Sequence, residues 1–351
     1  MIYNQNRTDL LTNILKYVSR SFYLTLRILP NRMREPISIA YLLARAADTI
    51  ADTLDISIDH RIELLTILSK YVEQLDNLNY PLYPLNDIFQ IQSDLYEHHL
   101  LLNSINKILA LLSEQPSQDR LAIQNVLSTL ISGIKFDIQT FQNKYSSRAT
   151  ILRTSDELDK YIYLVAGCVG EFWTEMTAAH TRAAQYWHIR DMREKGVRFG
   201  KALQMTNILR DCAKDLQIGR CYLPSSIFDD YALSIDVLFM RDASTLTRPV
   251  LCHLLHTTLE QYHDACEYVL AIPRRFVRLR LACLWPILIG IKTLELLAQN
   301  TAWLNPGHQS KISRLGIYRI IIDSFKIVSS NLAIRLYISS SMTSVIMECY
   351  K

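Results

Sequence analysis

The 351-residue sequence has few of the residues that interrupt helices, with only nine Gly and ten Pro. In a helix interior, Gly costs about 1 kcal/mol and Pro about 3 kcal/mol relative to Ala, so their scarcity favours long helices. Alternation of apolar and polar residues, the pattern of a half-buried strand, is essentially absent. We therefore predict an all-α protein. The sequence also has no repeat of fixed period.

Cysteine pairs with metal-binding or redox spacing are also missing. The seven Cys are an odd number without a C-x-x-C, and the first residues do not have the layout of an export signal. We therefore expect reduced thiols in a cytoplasmic protein, with Cys212 and Cys221 as small apolar fillers. The formal net charge is only +4, with acidic and basic residues interspersed, which gives no ground for a nucleic-acid partner.

No run of 18 uninterrupted apolar residues occurs, so no segment is expected to span a membrane. The most apolar stretch, residues 281–290, contains Pro286 and is interpreted as a kinked core helix. Residues 312–338 are apolar at helical spacing, with four basic residues against Asp323. This segment either packs on the body of the protein, which we favour, or docks peripherally on the inner face of an anionic membrane.

Turn residues separate the helical stretches. Helices are predicted over residues 8–28, 35–53, 59–77, 85–114, 118–146, 155–187, 191–217, 226–243, 247–270, 274–299 and 309–339. Ser117 and Ser155 are candidate N-caps. No shift in composition marks a linker, so a single domain over residues 1–351 is predicted, and we expect a monomer.

An acidic pair stands out from one of these helices. In YLLARAADTIAD, residues 41–52, Asp48 and Asp52 project about 40° apart on one face, and Arg45 and Tyr41 share that sector. Like charges at this spacing destabilise an isolated helix by a few tenths of a kcal/mol. Such a face either remains in solvent or binds a cation, and the D-x-x-x-D pattern alone does not decide between the two.

A second acidic pair, Asp211 and Asp215, occurs in QMTNILRDCAKD at residues 204–215. Other polar residues lie on or beside the same face, namely Gln204, Asn207 and Arg210. Mg²⁺ prefers oxygen ligands, usually takes one or two carboxylates, and completes its shell with water and substrate phosphate. Arg binds phosphate oxygens in a bidentate way. The two faces together indicate a polyanionic ligand that arrives with a divalent metal.

With three further motifs, these pairs resemble the squalene/phytoene synthase family of head-to-head prenyltransferases. The motifs are, in order, SRSF at residues 19–22, the first acidic pair with Arg45, YIYLVAGCVG at 161–170, the second acidic pair, and GRCYLP at 219–224. The resemblance covers about residues 15–290 and leaves the C-terminal segment unmatched. It implies a helical isoprenoid (prenyl) synthase fold with a central apolar cavity, across which the acidic pairs are expected to face each other.

The resemblance also implies roles for particular residues. The implied metal ligands, for Mg²⁺ or alternatively Mn²⁺, are Asp48, Asp52, Asn207, Asp211 and Asp215. The prenyl diphosphate-binding residues implied by the resemblance are Arg45, Gln204, Asn207, Arg220 and Tyr222. From their chemistry, Ser19, Ser21 and Arg210 are further candidate phosphate ligands, and Phe22, Tyr41 and Val165 are candidate linings of the apolar cavity. The implied catalytic residues are Arg45, the four aspartates and Tyr161, which would steer cation and proton steps near the departing diphosphate.

Tyr161, Val165, Cys168 and Phe172 share one face of a regular helix. Gly167 and Gly170 interrupt it, and we interpret them as space for a substrate chain or a close helix crossing, with plain core packing as the alternative. His98 and His99 are interpreted as an exposed pair rather than a zinc site.

Residues 272–290 resemble bacterial squalene synthases, which favours farnesyl diphosphate as the substrate, squalene as the product, and NADPH as the reductant. Dehydrosqualene or phytoene, both unreduced, are the alternative products. No G-x-G-x-x-G occurs, so the sequence neither supports nor excludes an NADPH site. Two other classes of function stay open, namely a different metal-dependent phosphate enzyme and a non-catalytic helical partner protein. Neither acidic motif contains D-D-x-x-D, which argues against head-to-tail chain elongation.

Overall fold

The computed structural model describes residues 10–19, 22–53, 55–75, 96–141 and 149–351. The chain divides into two compact units, the first comprising Met1–Gln142 and Phe172–Arg182, and the second Asn143–Glu171 and Ala183–Lys351. The described residues are predominantly helical and contain only two short strands, which confirms the all-α class. The assignment of a single domain to residues 1–351 stays a prediction.

The first unit begins, in its described part, with a π-helical turn at Leu10–Ile14. Its α-helices are α1 Leu15–Ser19, α2 Phe22–Ile28, α3 Asn31–Asp52, α4 Ile58–Glu73, α5 Tyr96–Leu102, α6 Ile105–Ser113 and α7 Ser117–Thr140. Helix α3, which carries the first acidic motif, packs against α4, α6 and α7. Its apolar side chains, among them Leu42, Leu43 and Ile50, are fully buried. Burial of that stripe leaves the acidic residues on another side of the helix.

The second unit contains nearly all the remaining elements. They are β1 Thr150–Ile151, α8 Ser155–Ile162, a π-helix at Tyr163–Gly167, α9 Cys168–His180 (which continues into the first unit), α10 Ile189–Gln217, β2 Arg220–Cys221, α11 Ser225–Asp229, α12 Ala243–Leu246, α13 Arg248–Ala271, α14 Val277–Gln299, α15 Arg314–Ile327 and α16 Asn331–Cys349. Short 3₁₀ turns lie at Arg182–Ala184 and Ile235–Phe239. Helix α10, which carries the second acidic motif, packs against α13 and α14.

Strands β1 and β2 form a two-residue parallel pair, with Thr150 opposite Arg220 and Ile151 opposite Cys221. Gly219 makes this pairing geometrically accessible, because its φ of 80° lies in the left-handed region that favours glycine. The chain therefore turns sharply at the end of α10. The sequence pattern did not reveal this short pair.

Several predicted helix boundaries were wrong. Residues 226–243 are not one helix, and Ala232, with φ of 53°, lies in the turn that follows α11. The predicted helix at 309–339 is two helices separated at residues 328–330. The N-caps lie one residue earlier than predicted, at Thr154 and Pro116. Thr154 Oγ1 accepts from Glu157 N at 3.2 Å while Glu157 Oε2 accepts from Arg153 N at 2.7 Å, an arrangement close to a capping box.

In the described part of the chain, α14 is long and apolar enough to cross a membrane by length and composition, and most of it is buried within the fold. It contains Pro286. Arg280, also on α14, is fully buried and donates to Ile272 O at 3.2 Å and to Asn331 Oδ1 at 2.8 Å. These contacts attach α14 to the end of α13 and the start of α16, as expected of a core helix.

Candidate active site

The first acidic pair lies near the end of α3, where Arg45 Nη1 is 4.0 Å from Asp48 Oδ2. Burial raises the pKa of Asp48 to about 7, against the lowering effect of Arg45, and the charges of Asp52 and Asp137 raise it further. The Asp48 side chain nevertheless keeps 51% of its surface open to water. The carboxylate is therefore crowded by protein on one side and open on the other, so its negative charge is costly without a cation.

Two residues near this pair were not found from the sequence. Asp137, on α7, adds negative charge near Asp48. His98, on α5, is half-buried, and its Nε2 lies 3.2 Å from Arg45 Nη2, so it is not part of an exposed pair as predicted. Since Arg can only donate, His98 Nε2 is the acceptor in this contact. Only the fold brings these residues to α3.

The Arg45 side chain is incompletely satisfied. Among the residues that the structure describes, its Nε is buried without a hydrogen-bond partner. A buried guanidinium nitrogen without a partner loses its hydration without compensation. A phosphate oxygen is the kind of acceptor that would satisfy it.

The predicted phosphate and lining residues near the first motif differ in their contacts. Ser19 is buried and its Oγ donates to Leu15 O within α1. Tyr41 is half-buried and its hydroxyl donates to Val18 O at 3.2 Å, which joins α3 to α1. Ser21 and the side chain of Phe22 lie outside the described residues.

The second acidic pair lies in the last third of α10. Arg210 Nε donates to Asp211 Oδ1 at 3.0 Å and Arg210 Nη2 donates to Asp211 Oδ2, a bidentate pair that remains about one-third exposed. One turn earlier, Asn207 Nδ2 donates to Gln204 Oε1 at 3.5 Å. Asp215 is half-buried one turn beyond Asp211. The motif therefore presents oxygen atoms beside a guanidinium that is already paired with one carboxylate.

The third and fifth sequence motifs meet at a pair of aromatic rings. Tyr161, at the end of α8, stacks on Tyr222, just after β2, with ring centroids 5.0 Å apart and planes at 17°. Both rings are buried, and Arg220 beside them is half-buried. Tyr161 belongs to the helix that is capped by Thr154, and Tyr222 directly follows the strand that pairs with β1. This contact was not predicted.

Cys212 and Cys221 are buried near the second motif. Burial raises the pKa of the Cys221 thiol to about 12 and raises that of Cys212 as well. Such thiols stay protonated at neutral pH and are poor nucleophiles. Their interpretation as apolar fillers is confirmed.

The glycines of the third motif make a close crossing with α10. A Cβ on Gly170 would lie 1.8 Å from Gly196 O, and one on Gly200 would lie 2.2 Å from Ala166 O. No side chain fits at such distances, so the two backbones touch directly. A close helix crossing, one of the predicted uses of Gly170, is confirmed, and its partners Gly196 and Gly200 were missed although they are spaced i, i+4.

The segment 163–167 is π-helical, so the regular period used to place Tyr161, Val165, Cys168 and Phe172 on one face does not hold through it. Val165 is half-buried, whereas the other three side chains are buried. Beside this turn, Lys201 Nζ donates to both Asp159 carboxylate oxygens at 2.6 and 2.8 Å and lies 5.9 Å from the centre of the Tyr163 ring.

The structure thus brings together four pairs of predicted site residues: Arg45 with Asp48, Gln204 with Asn207, Arg210 with Asp211, and Tyr161 with Tyr222. The first acidic motif belongs to the first unit and the second to the second unit. Within the described ranges, no group of three or more His, Cys, Asp or Glu side chains forms a ready-made metal cluster. The central cavity and the facing arrangement of the acidic pairs stay predictions.

Comparison with known proteins identifies relatives over most of the chain. The family described as squalene/phytoene synthase matches residues 15–316. A squalene synthase from Cyberlindnera jadinii is 26% identical over 287 residues, which cover 82% of this chain and 61% of the relative. A bifunctional lycopene cyclase/phytoene synthase from Pyrenophora tritici-repentis is 27% identical over 76% of this chain and 42% of its own length. The chain therefore spans less than two thirds of these relatives.

A solved structure, that of TcSQS in complex with the ligand BPH1237, is similar in fold. It aligns with a TM-score of 0.74 at 18% identity and covers 99% of both chains. At this identity the similarity supports the fold, and it agrees with the helical architecture expected from the sequence.

Proposed function

Because the chain belongs to the squalene/phytoene synthase family, a family of prenyltransferases, we propose that it joins two farnesyl diphosphates head to head to form squalene. The proposed route passes through a cyclopropyl (presqualene) diphosphate, and each of its two ionisations releases one diphosphate. After the second ionisation, the cation accepts a hydride to give squalene.

The observation that carries the proposal is the state of Arg45 and Asp48 on α3. Among the described residues, the buried Arg45 Nε has no acceptor, and Arg45 lies beside Asp48, whose pKa burial raises to about 7. A diphosphate bound together with Mg²⁺ would satisfy both residues, because its oxygens would accept from Arg45 and the metal would offset the negative charge of Asp48. This donor set fits a metal that uses few protein carboxylates and completes its shell with water and phosphate.

The proposed metal-holding residues are Asp48, Asp52, Asn207, Asp211 and Asp215. Bound Mg²⁺, or Mn²⁺ in its place, would neutralise the charge that develops on the departing diphosphate. Arg45, Arg210 and Arg220 are proposed to bind phosphate oxygens and orient the leaving group. For Arg210 this requires its bidentate contact with Asp211 to be exchanged for one with phosphate.

Tyr161 is proposed to act next to the reacting carbons and the departing diphosphate. Its ring is held by the stack on Tyr222, and both rings are buried, so the hydroxyl occupies a defined position. An allyl cation reacts with water unless water is excluded, and buried aromatic rings are suited to stabilise and shield it. Gln204, Ser19, Ser21, Phe22, Tyr41 and Val165 remain proposed substrate-binding residues.

The proposal also specifies the product and the reductant. The similarity of residues 272–290 to bacterial squalene synthases supports farnesyl diphosphate and squalene, with NADPH as the hydride donor. Without a hydride donor, loss of a proton would give dehydrosqualene, and two geranylgeranyl diphosphates would give phytoene. The relatedness to a phytoene synthase keeps the longer substrate as the alternative.

The product proposal is tested by incubating the protein and Mg²⁺ with farnesyl or geranylgeranyl diphosphate, each with and without NADPH, and measuring product mass. We expect a C30 hydrocarbon whose mass becomes that of squalene when NADPH is present. A C40 product would overturn the substrate proposal. A C30 product unaltered by NADPH would identify dehydrosqualene and remove the proposed reductant.

The proposal also includes a monomer that is cytoplasmic or peripherally bound on the inner face of a membrane. Light scattering of the purified chain tests the monomer, with about 41 kDa expected. A non-catalytic partner protein of the same fold is the competing class. It would be supported if no diphosphate is released from either substrate by a protein that is shown to be folded.

A further inference from the structure

Helix α15 has two apolar faces, and within the described residues only one of them is packed against the fold. On the inner side Ile320 and Ser324 are buried, and Trp285 Nε1 of α14 donates to Ser324 Oγ at 2.8 Å. A separate set of large apolar side chains is 57 to 80% exposed, namely Leu315, Tyr318, Ile322 and Phe325. At about 100° per residue they fall within an arc of about 80°. This 14-residue helix therefore presents a continuous apolar stripe, about 15 Å long, to its surroundings.

Basic residues border this stripe on both sides. By the same helical geometry, Arg319 and Lys326 lie next to the Leu315 edge and Arg314 lies next to the Phe325 edge. Asp323 is the single acidic residue of α15, and it pairs with Lys326 at 2.7 Å. Large apolar residues flanked by Lys and Arg are the composition of helices that lie in a membrane interface.

The net charge of the whole C-terminal segment also favours contact with a membrane interface. Residues 300–351 contain six Lys and Arg against two Asp and Glu, a net charge of +4 that equals the formal net charge of the entire chain. The other 300 or so residues are therefore electrically balanced, and the excess positive charge is concentrated around this stripe. Helix α16, which three residues separate from α15, adds Leu332 and Leu336, both exposed.

We propose that this basic apolar face, formed by residues 314–327 together with Leu332 and Leu336, docks on an anionic lipid bilayer with α15 lying in the plane of the interface. Its aromatic and aliphatic side chains would enter the boundary between headgroups and acyl chains, while Arg314 and Arg319 contact lipid phosphates. A second copy of the chain is a poorer partner, because it would bring two segments of net charge +4 together.

The surface is tested by cosedimentation of the full chain with two kinds of vesicle. One consists of equal parts phosphatidylglycerol and phosphatidylcholine, and the other of phosphatidylcholine alone. We expect binding to the anionic vesicles that weakens with added salt, and little binding to the neutral ones. Leu315→Gln with Ile322→Gln should weaken anionic binding about tenfold or more, and Arg314→Gln with Arg319→Gln should do so to a similar extent.

Matched control variants distinguish binding through this surface from nonspecific adsorption to vesicles. Leu121→Gln with Tyr186→Gln removes two apolar residues that are exposed elsewhere, and Arg190→Gln with Arg241→Gln removes the same charge from other exposed positions. Both controls should bind like the parent chain, and circular dichroism should show all variants folded. Equal binding by the parent and the Leu315/Ile322 variant would overturn the proposal. Light scattering that shows a dimer dispersed by that variant, with vesicle binding unchanged, would replace it with self-association.

Discussion

The Tyr161 ring stacks on the Tyr222 ring with centroids 5.0 Å apart and planes only 17° from parallel. The two residues are 61 positions apart in the sequence and belong to different motifs. Their contact depends on the Gly219 turn and on the pairing of β1 with β2. The stack therefore links the helix before the π-helical turn to the segment that follows the second acidic motif.

Substitution of these two tyrosines should separate chemistry from packing. Tyr161→Phe keeps the stacked ring and removes only the hydroxyl, so we expect normal folding with kcat reduced at least about tenfold. Tyr222→Ala removes a buried ring and should lower the free energy of unfolding by about 3 kcal/mol or more. Urea unfolding and steady-state kinetics measure the two effects. A Tyr161→Phe variant with unchanged kcat would show that its hydroxyl has no part in the reaction.

The crossing of Gly170 with α10 should not tolerate a methyl group. A Cβ at this position would lie 1.8 Å from Gly196 O, so Gly170→Ala must push two helix backbones apart. We expect a loss of about 1 to 3 kcal/mol in the free energy of unfolding, together with reduced activity because α10 carries the second acidic motif. Gly307→Ala is the control, since the nearest atom to its added methyl group is an Asn305 side-chain oxygen at 3.3 Å. Similar stability losses in both variants would argue against the close crossing.

Asp48→Asn should make the protein more stable without metal and insensitive to Mg²⁺. Burial raises the pKa of Asp48 to about 7, so at pH 8 the native state holds an ionised carboxylate in a place that disfavours it. The cost of this ionisation is absent below the ordinary pKa of Asp, grows as the pH rises to about 7, and is then constant. In metal-free buffer at pH 8, Asp48→Asn should therefore raise Tm.

The same variant tests the metal. Mg²⁺ with inorganic diphosphate should raise the Tm of the parent chain by linkage, and should raise that of Asp48→Asn much less. Glu63→Gln, an exposed carboxylate on α4, is the control and should behave like the parent. Equal Tm shifts in the parent and Asp48→Asn would exclude Asp48 as a ligand.

Cys252 should react with alkylating reagents at a lower pH than an ordinary thiol. A hydrogen bond from the Cys349 thiol and the nearby positive charge of Arg248 lower its pKa, and partial burial opposes them. Its thiolate should therefore be populated below the usual thiol range of about 8 to 9. Mass spectrometry of iodoacetamide-treated protein at several pH values would locate the midpoint. Cys349→Ala removes the donor and should move the midpoint upward, and an unchanged midpoint would contradict the assigned cause.

Local patterns in the sequence were sufficient for the helical class, for α3 and α10 as carriers of the acidic pairs, and for a close crossing at Gly170. Each of these depends on residues a few positions apart, where helical periodicity applies directly. His98, Asp137 and the Tyr161–Tyr222 stack were not predictable in this way, because their partners come from distant elements. Residues 226–243 were mistaken for one helix because Ala232 takes a left-handed φ that the neighbouring sequence does not predict.

Both acidic pairs are proposed to serve metal-assisted departure of diphosphate. The most direct measurement is diphosphate release from farnesyl diphosphate by the parent chain and by the Asp48→Asn, Asp211→Asn double variant, each with Mg²⁺ and with a chelator, after circular dichroism has shown both to be folded. We predict rapid release by the parent only when Mg²⁺ is present, and release by the double variant reduced at least about a thousandfold. Release that is equally fast in the double variant, or unaffected by the chelator, would exclude this role of the two acidic pairs.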